Sequence, residues 1–387
     1  MRMGEAFGES SRVALHAAAA GLLACLIAGG PYRISAQDDP AARQGGAARA
    51  RFLMGARLSI ETDGPVPAAV LESAFDEVAR LEGIFSNWQR TSEVSRLNDE
   101  AARRPVGCSA ELFAAVRTAL RWAEETGGAF DPTVEPLVRA LGLRGDEGRL
   151  PGMEDAPAPV EGETDRSARP PIGWRHVHLH RAARSVRFDT EGVGLDLGGI
   201  GKGIALDAAA GVLRRHGVRR ALLDFGGQVL AVGRPGRAPA WSIGIADPEE
   251  RDRVIGVVGI DRLSLATSSN SERFVETPRG RIGHILDPAE ARPARFQGSL
   301  TVAAHDATSA DALSTALFVM GPDRGAAWAE ARDIPALYLW RDDSGTLRCK
   351  STRAFEDRFG GRVGRPGDPG WAERAGGTAD RREGPGD

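Results

Sequence analysis

Three observations predict an α+β fold. Apolar residues recur at helical spacing in five segments. Short runs of alternating apolar residues lie between and after them, and no internal repeat of solenoid period is present. The 387 residues are 42 % hydrophobic and 27 % charged, ordinary for a globular chain and enough for one large or two medium domains. A net charge of −3 supplies no bulk basic field for nucleic acid. The mixture of elements predicts one composite domain of about 300 residues.

Taken in order, the chain opens with an apolar run at 13–28, VALHAAAAGLLACLIA, after Arg2 and Arg12. The run is short for a stable transmembrane helix. It leads into GGPYRISAQ, where Ser35-Ala36 precedes Gln37 in the small-residue style of a secretory cleavage site. Leu22-Leu23-Ala24-Cys25 also resembles a lipobox with Cys25 as the lipidated residue, although Leu26 and Ile27 continue the apolar run. Cleavage after Ala36 and lipidation at Cys25 both place the mature protein outside the cytoplasm, in the periplasm. The second would anchor it to the inner membrane as a lipoprotein. Residues 1–36 are therefore expected to be a signal peptide and 37–50 a polar linker.

Structure is expected over 51–356. RFLMGARLSIE, at 51–61, alternates Phe52, Met54, Leu58 and Ile60 and reads as one strand. Residues 67–83 carry Leu71, Phe75, Val78 and Leu81 at helical spacing, with Pro67 at the first turn. Ser109 caps a second helix at 109–126, and Gly127-Gly128 stops it. Residues 143–172 are rich in Pro, Gly and acidic groups and read as a loop insertion. Strands are expected at 175–181, 184–189, 219–224, 240–246, 254–260, 263–267, 299–304 and 335–340. Helices are expected at 203–216, 308–320 and 323–332. The tail at 357–387 has nothing to pack a core and reads as disordered. With Cys25 cleaved away or lipidated, Cys108 and Cys349 remain. An export route permits a disulfide between them, and two buried thiols are equally compatible with the sequence.

Residues 196–203, DLGGIGKG, follow an apolar VGL and precede a helix, an order that suggests a phosphate. The loop fits neither G-x-x-x-x-G-K-[ST] nor G-x-G-x-x-G. It supports only backbone N–H groups near an anion at a helix N-terminus, with Lys202 beside them, or a tight turn that needs small residues. In TSADALSTALFVMG, at 308–321, Asp311 and Thr315 are i and i+4 and share one helix face. They can ligate a hard cation such as Mg²⁺, or Asp311 can simply complement the helix dipole from the first turn. His284 stands in the apolar strand of GHILDPAEARP, where a structural role is the commoner one. In TGGAFDPTVEPL, Asp131 starts a turn and the glycine pair lets the backbone pass close to a ligand. His176, His178 and His180 line one strand face. With no cysteine or carboxylate partner evident nearby, a solvated face is favoured over a transition-metal site.

In this order the motifs resemble the ApbE-type FAD:protein FMN transferases. The resemblance runs from about 52 to about 340 and rests on FLMGARLSI, FSNWQRTSEVSRLN, TGGAFDPTVEPLVRALG, the glycine-loop segment through LLDFGGQVLAVG, ATSSNSERF, GHILDPAEARP and ADALSTALFVMG. It implies an ApbE-like, T-fold-related composite domain of mixed and antiparallel sheets with packed helices. It also implies Mg²⁺-dependent transfer of FMN from FAD to a Thr or Ser hydroxyl of an acceptor flavoprotein, with release of AMP. Such acceptors are often redox-pump or respiratory subunits facing the periplasm. By the resemblance, Asp311, Thr315 and the Gly199 carbonyl match the metal ligands, and Asp196 and Lys202 match FAD-contacting positions. His284 matches the family histidine that assists the hydroxyl or orients the phosphate. Met54, Trp88 and Ala129-Phe130-Asp131 match flavin- and adenine-side contacts. Four departures stand out. Trp88 replaces a usual tyrosine, Ala56 a threonine and Ser269 a glycine, and PAEARP replaces PRTG-x-P. They predict rearranged polar contacts to FAD. Water in place of the hydroxyl would make the same site an FAD pyrophosphatase. The altered turn after His284 would also suit a non-catalytic, exported FAD-binding protein.

Overall fold

The computed structural model describes residues 46–141, 143, 170–236, 238–270, 274–277 and 280–360, with 274–277 and 280–282 described through their backbone only. The expected signal segment, most of the 143–172 insertion and residues 361–387 lie outside the described residues.

The chain starts with β1 (Ala48–Leu53) and β2 (Ala56–Thr62), an antiparallel hairpin with Leu53 opposite Ala56. Met54 and Gly55 between them both have positive φ, 47° and 70°, as a two-residue hairpin turn requires. The single strand expected at 51–61 is therefore two. Phe52 pairs with Arg57 and faces away from the core side of Leu58 and Ile60, which leaves it 63 % exposed.

Next come α1 (Ala68–Phe85) and a second helix that was not expected, α2 (Glu93–Glu100). The Ser92 hydroxyl caps α2 by accepting from the Ser95 N–H at 3.1 Å. β3 (Val106–Gly107), α3 (Ala110–Glu125) and the short α4 (Glu135–Ala140) follow. Ser109 caps α3 through the Leu112 N–H at 3.1 Å, and Gly127 and Gly128, with φ 63° and 85°, end it as expected. β4 (Val177–His180) and β5 (Ser185–Phe188) join β3 in a three-stranded sheet. A carboxylate partner for the histidine row is present after all. Asp189 accepts from His176 Nδ1 and His178 Nε2, each at 2.8 Å. The His178 contact and its companions hold the Asp189 carboxyl below the usual carboxylate range.

After α5 (Gly201–Arg215), β6 (Ala221–Phe225) and β7 (Gln228–Val232) form a hairpin around Gly226 and Gly227. β8 (Trp241–Ala246) and β9 (Val254–Ile260) form a separate hairpin, and β10 (Ser264–Ser269) returns to the sheet of β6 and β7. Two small antiparallel pairs follow: β11 (Phe274–Thr277) with β12 (Gly280–Gly283), and β13 (Leu286–Asp287) with β14 (Arg292–Pro293). The remaining elements are β15 (Ser299–Ala304), α6 (Ala307–Glu330), β16 (Ala336–Arg341), β17 (Leu347–Ser351) and α7 (Arg353–Phe359). α6 breaks at Gly321, φ 75°, just before Pro322, and so keeps the two expected helices.

The main sheet has the order β1-β2-β6-β7-β10-β15-β16-β17, with antiparallel neighbours throughout. The fold is α+β, as expected. Alternation along β6 separates two cores. Leu223 and Phe225 join Phe75, Val116, Leu206 and Leu317 under the helices. Leu222 joins Val229, Ile243, Ile245 and Leu265 under the β8–β9 hairpin. Phe355 and Phe359 of α7 complete the second core, so ordered chain continues past the expected boundary at 356. Cys108 and Cys349 pack against different cores, and no disulfide joins them.

Candidate active site at the α5–α6 junction

The glycine loop is not preceded by a strand. VGL is instead held by side chains: Leu195 O accepts from Asn87 Nδ2 and Asn98 Nδ2, both at 2.9 Å, and Leu195 N donates to Asn98 Oδ1 at 2.7 Å. Asp196 N donates to Pro132 O at 2.7 Å, which ties the loop to the Ala129–Asp131 segment. Neither asparagine belongs to a local catalytic pattern. Their partners lie about a hundred positions away in sequence, so the sequence carries no spacing signal for them.

The loop does not form a cradle of free N–H groups. Gly198 N donates to Asp196 Oδ1 at 2.6 Å, and Ile200 N and Gly201 N both donate to Leu197 O, at 3.1 and 2.7 Å. Gly203 N donates to Asp311 Oδ2 at 2.9 Å. What the loop presents outward is a carbonyl: Gly199 O lies 3.5 Å from Thr315 Oγ1. The packing around this glycine is tight: a Cβ on Gly199 would sit 3.1 Å from Thr315 Oγ1 and 3.2 Å from Phe130 Cε2. Lys202 Nζ lies 3.8 Å from Asp311 Oδ1.

Asp311 is not a first-turn residue of α6. Asp306 does that work, with Oδ1 accepting from Ser309 N at 2.7 Å. Asp311 sits one turn further in, 5 % exposed, and faces α5. Gly199, Asp311, Thr315 and Lys202 thus come together from two helix starts. Carbonyl, carboxylate and hydroxyl oxygens are the donor types of a hard, partly hydrated cation. Among the described residues no group of three or more His, Cys, Asp or Glu side chains is placed to hold a metal, so only such a mixed oxygen set is on offer.

The other expected residues surround this junction to different degrees. A Cβ on Gly201 would sit 3.5 Å from Met54 Cε, which places the β1–β2 turn against the loop. Ala129 and Phe130 are buried. The Asp131 carboxylate is already occupied: Thr133 N and Thr133 Oγ1 donate to Oδ1 at 2.8 and 2.6 Å, and Trp174 N donates to Oδ2 at 3.0 Å. Burial pushes its pKa up despite these bonds. Asp131 therefore shapes its loop through its side chain. Trp88 follows Asn87 and is 58 % exposed, an aromatic face open to solvent beside the loop.

His284 is exposed between β12 and β13. The end of β10 links its segment to the Gly199–Asp311–Thr315 cluster. Ser268 Oγ donates to Ser314 Oγ at 3.0 Å, and Asn270, two residues on, lies against Gly283 and donates to Phe296 O at 2.8 Å. The departing PAEARP turn stays closed. Asp287 Oδ1 accepts from Ala289 N at 3.0 Å and Glu290 N at 3.2 Å, and Glu290 pairs with Arg292 and Arg295. Ala291, where the ApbE pattern has glycine, adopts φ 50°. The turn thus holds an alanine in the left-handed region, which favours glycine.

Comparisons with known proteins bear on the family and the fold. A model of the ApbE family matches residues 54–338. The FAD:protein FMN transferase of Treponema pallidum is 30 % identical over 330 residues, 80 % of this chain and 88 % of that protein. The enzyme of that name from Haemophilus influenzae is 30 % identical over 302 residues, 76 % of this chain and 85 % of that protein. Among solved structures, the ApbE protein of Thermotoga maritima superposes with a TM-score of 0.71 at 30 % identity, covering 81 % of this chain and 99 % of its own. The apo flavinyl transferase ApbE of Pseudomonas stutzeri gives 0.70 at 27 % identity, covering 81 % and 97 %. On sequence and fold together, the chain belongs to the ApbE family.

Proposed function

We propose that this chain is an FAD:protein FMN transferase, the activity for which its relatives are named. One observation carries the reading: Gly199 O, Asp311 and Thr315 meet beside Lys202, although the loop and helix lie over a hundred residues apart. The reaction is phosphoryl transfer from FAD to a Thr or Ser hydroxyl of an acceptor flavoprotein. A bond forms between the hydroxyl oxygen and the FMN phosphorus. The bond from that phosphorus to the bridging oxygen breaks, AMP leaves with that oxygen, and the hydroxyl proton is released.

The residues divide the work by their chemistry. Gly199 O, Asp311 and Thr315 would hold the cation, for which we propose Mg²⁺, and when bound it supplies charge stabilisation at the phosphoryl oxygens. Lys202 offsets pyrophosphate charge. His284 receives the hydroxyl proton or orients the phosphate from its exposed position beyond β12. Trp88 offers a stacking face, and Met54, Ala129, Phe130, Asp131 and Asp196 shape the flavin and adenine walls. Export belongs to the same proposal: a signal or lipobox ending near Cys25 or Ala36 would put the enzyme beside periplasmic faces of respiratory or redox-pump acceptors.

The test is AMP release from FAD, followed by chromatography. Release that needs both a divalent cation and an acceptor domain, and that disappears on Asp311→Ala, is the expected result. Release at the same rate without acceptor would select FAD hydrolysis to FMN and AMP. Tight FAD binding with no AMP under any condition would refute catalysis.

A further inference from the structure

The contact between α5 and α6 is held more firmly than helix packing alone requires, and the hold is centred on one residue, Ala307. Asp207 reaches across from α5: its Oδ1 accepts from Ala307 N at 2.9 Å, and its Oδ2 accepts from Thr308 N at 2.9 Å and Thr308 Oγ1 at 2.6 Å. Gln228, from β7, donates Nε2 to Ala307 O at 2.6 Å. Ala307 is thus gripped at its N–H and its carbonyl by side chains from two other elements. Gly203, one turn before Asp207 on the same face of α5, runs directly past it. A Cβ there would lie 2.7 Å from the Ala307 carbonyl carbon and 2.8 Å from Thr308 Cα. Asp311 follows Ala307 by one turn of α6 and receives the Gly203 N–H.

Asp207 answers two first-turn N–H groups of α6, which an α-helix leaves without intrahelical partners, and it does so from another helix. Asp306 already caps α6 locally, through Ser309 N at 2.7 Å and Ser309 Oγ at 2.9 Å. Gln228 also bears a cost, because its Oε1 is buried and has no hydrogen-bond partner among the described residues. The Ala307 carbonyl faces the next turn of its own helix, so Gln228 is not needed to satisfy it. Asp207 ties the start of α6 to α5, and Gln228 ties it to β7. A slip of one residue would move Asp311 about 1.5 Å relative to Gly199 and Lys202.

We infer that Asp207, from α5, and Gln228, from β7, are positioning residues that together fix the start of α6, so that Asp311 meets Gly199 and Thr315 in cation-binding geometry. This inference rests on the proposed cation site. Neither residue is proposed to touch cation or substrate.

The experiment uses the full chain and measures Mg²⁺ binding by calorimetry, Mn²⁺ binding by paramagnetic resonance, and thermal unfolding, for wild type and four variants. Asp207→Ala, Asp207→Asn and Gln228→Leu should each weaken cation binding by about tenfold or more, as loss of groups that orient metal ligands does. Asp306→Ala, which removes the local cap at the same helix end, should lower the melting temperature and leave cation affinity within twofold. Should Asp207→Ala fail to fold, Asp207→Asn and Gln228→Leu decide the matter. Cation affinity within twofold of wild type in the folded Asp207 and Gln228 variants overturns the inference while leaving the cation site standing. A wild-type chain that binds neither Mg²⁺ nor Mn²⁺, with or without FAD, overturns the cation site and the inference with it.

Discussion

Substituting Gly203 by alanine should damage the site and the fold together. A Cβ at 203 meets backbone atoms, the Ala307 carbonyl carbon at 2.7 Å and Thr308 Cα at 2.8 Å, so no flexible side chain can move aside. The two helices must part by roughly 1 Å to restore van der Waals contact. Overpacking of this kind costs about 1–3 kcal/mol. Parting the helices also stretches the Gly203 N–H bond to the Asp311 carboxylate, worth about 1.5–3 kcal/mol as a bond to a charged group. Alanine returns about 1 kcal/mol through its better helix propensity. The net loss is about 1.5–5 kcal/mol, or a melting temperature lower by roughly 3–10 °C for a domain of this size. Scanning calorimetry reads the stability, and Mg²⁺ titration reads the site. A Gly203→Ala chain that melts within 1 °C of wild type with unchanged cation affinity would refute the reasoning, because α5 and α6 would then not be held at this distance.

Three smaller predictions follow from other parts of the structure. Ala291→Gly removes a strained left-handed alanine at φ 50° but adds unfolded-chain entropy, so the melting temperature should stay level or rise by up to about 2 °C, whereas Ala291→Val should lower it. Trp88→Ala, at a position 58 % exposed, should leave the melting temperature unchanged and weaken FAD binding by about tenfold through lost stacking, measured by flavin fluorescence. Burial pushes the Cys108 thiol up to about 11 from a reference of 9.0, so alkylation at pH 7.5 should run about a hundredfold slower than at an ordinary thiol.

Much of the fold can be read from the sequence because each face is patterned. The helix at 109–126 and the paired helices around Gly321 announce themselves through caps, stripes and breakers. The β1–β2 hairpin is concealed because its turn uses Met54 at positive φ, a residue that does not advertise a turn. β7 carried a usable sign, Gly226-Gly227 between apolar runs, which is a hairpin turn pair. β13 and β14 are two residues each, too short for any period to show.

The site divides the same way. Asp311 and Thr315 are legible as i, i+4 on one helix, but nothing local shows that Gly199 offers them a carbonyl. That pairing came from family resemblance. The supports around them lie further from any pattern. Asn87, Asn98, Asp207 and Gln228 act on backbone atoms 79 to 108 positions away, and only tertiary structure brings such partners together. DLGGIGKG accordingly reads as three devices in one segment. Gly199 presents a carbonyl, Lys202 brings a charge, and Gly203 lets a second helix pass at close range.

The central claim is that this junction moves FMN from FAD to a protein hydroxyl. Intact-mass measurement of an acceptor flavoprotein domain, incubated with the full chain, FAD and Mg²⁺, tests it most directly. The account predicts an FMN-sized mass gain on a single Thr or Ser, absent with Asp311→Ala and absent when that hydroxyl is removed. Acceptors that stay unmodified while wild-type protein binds FAD and Mg²⁺ would contradict it.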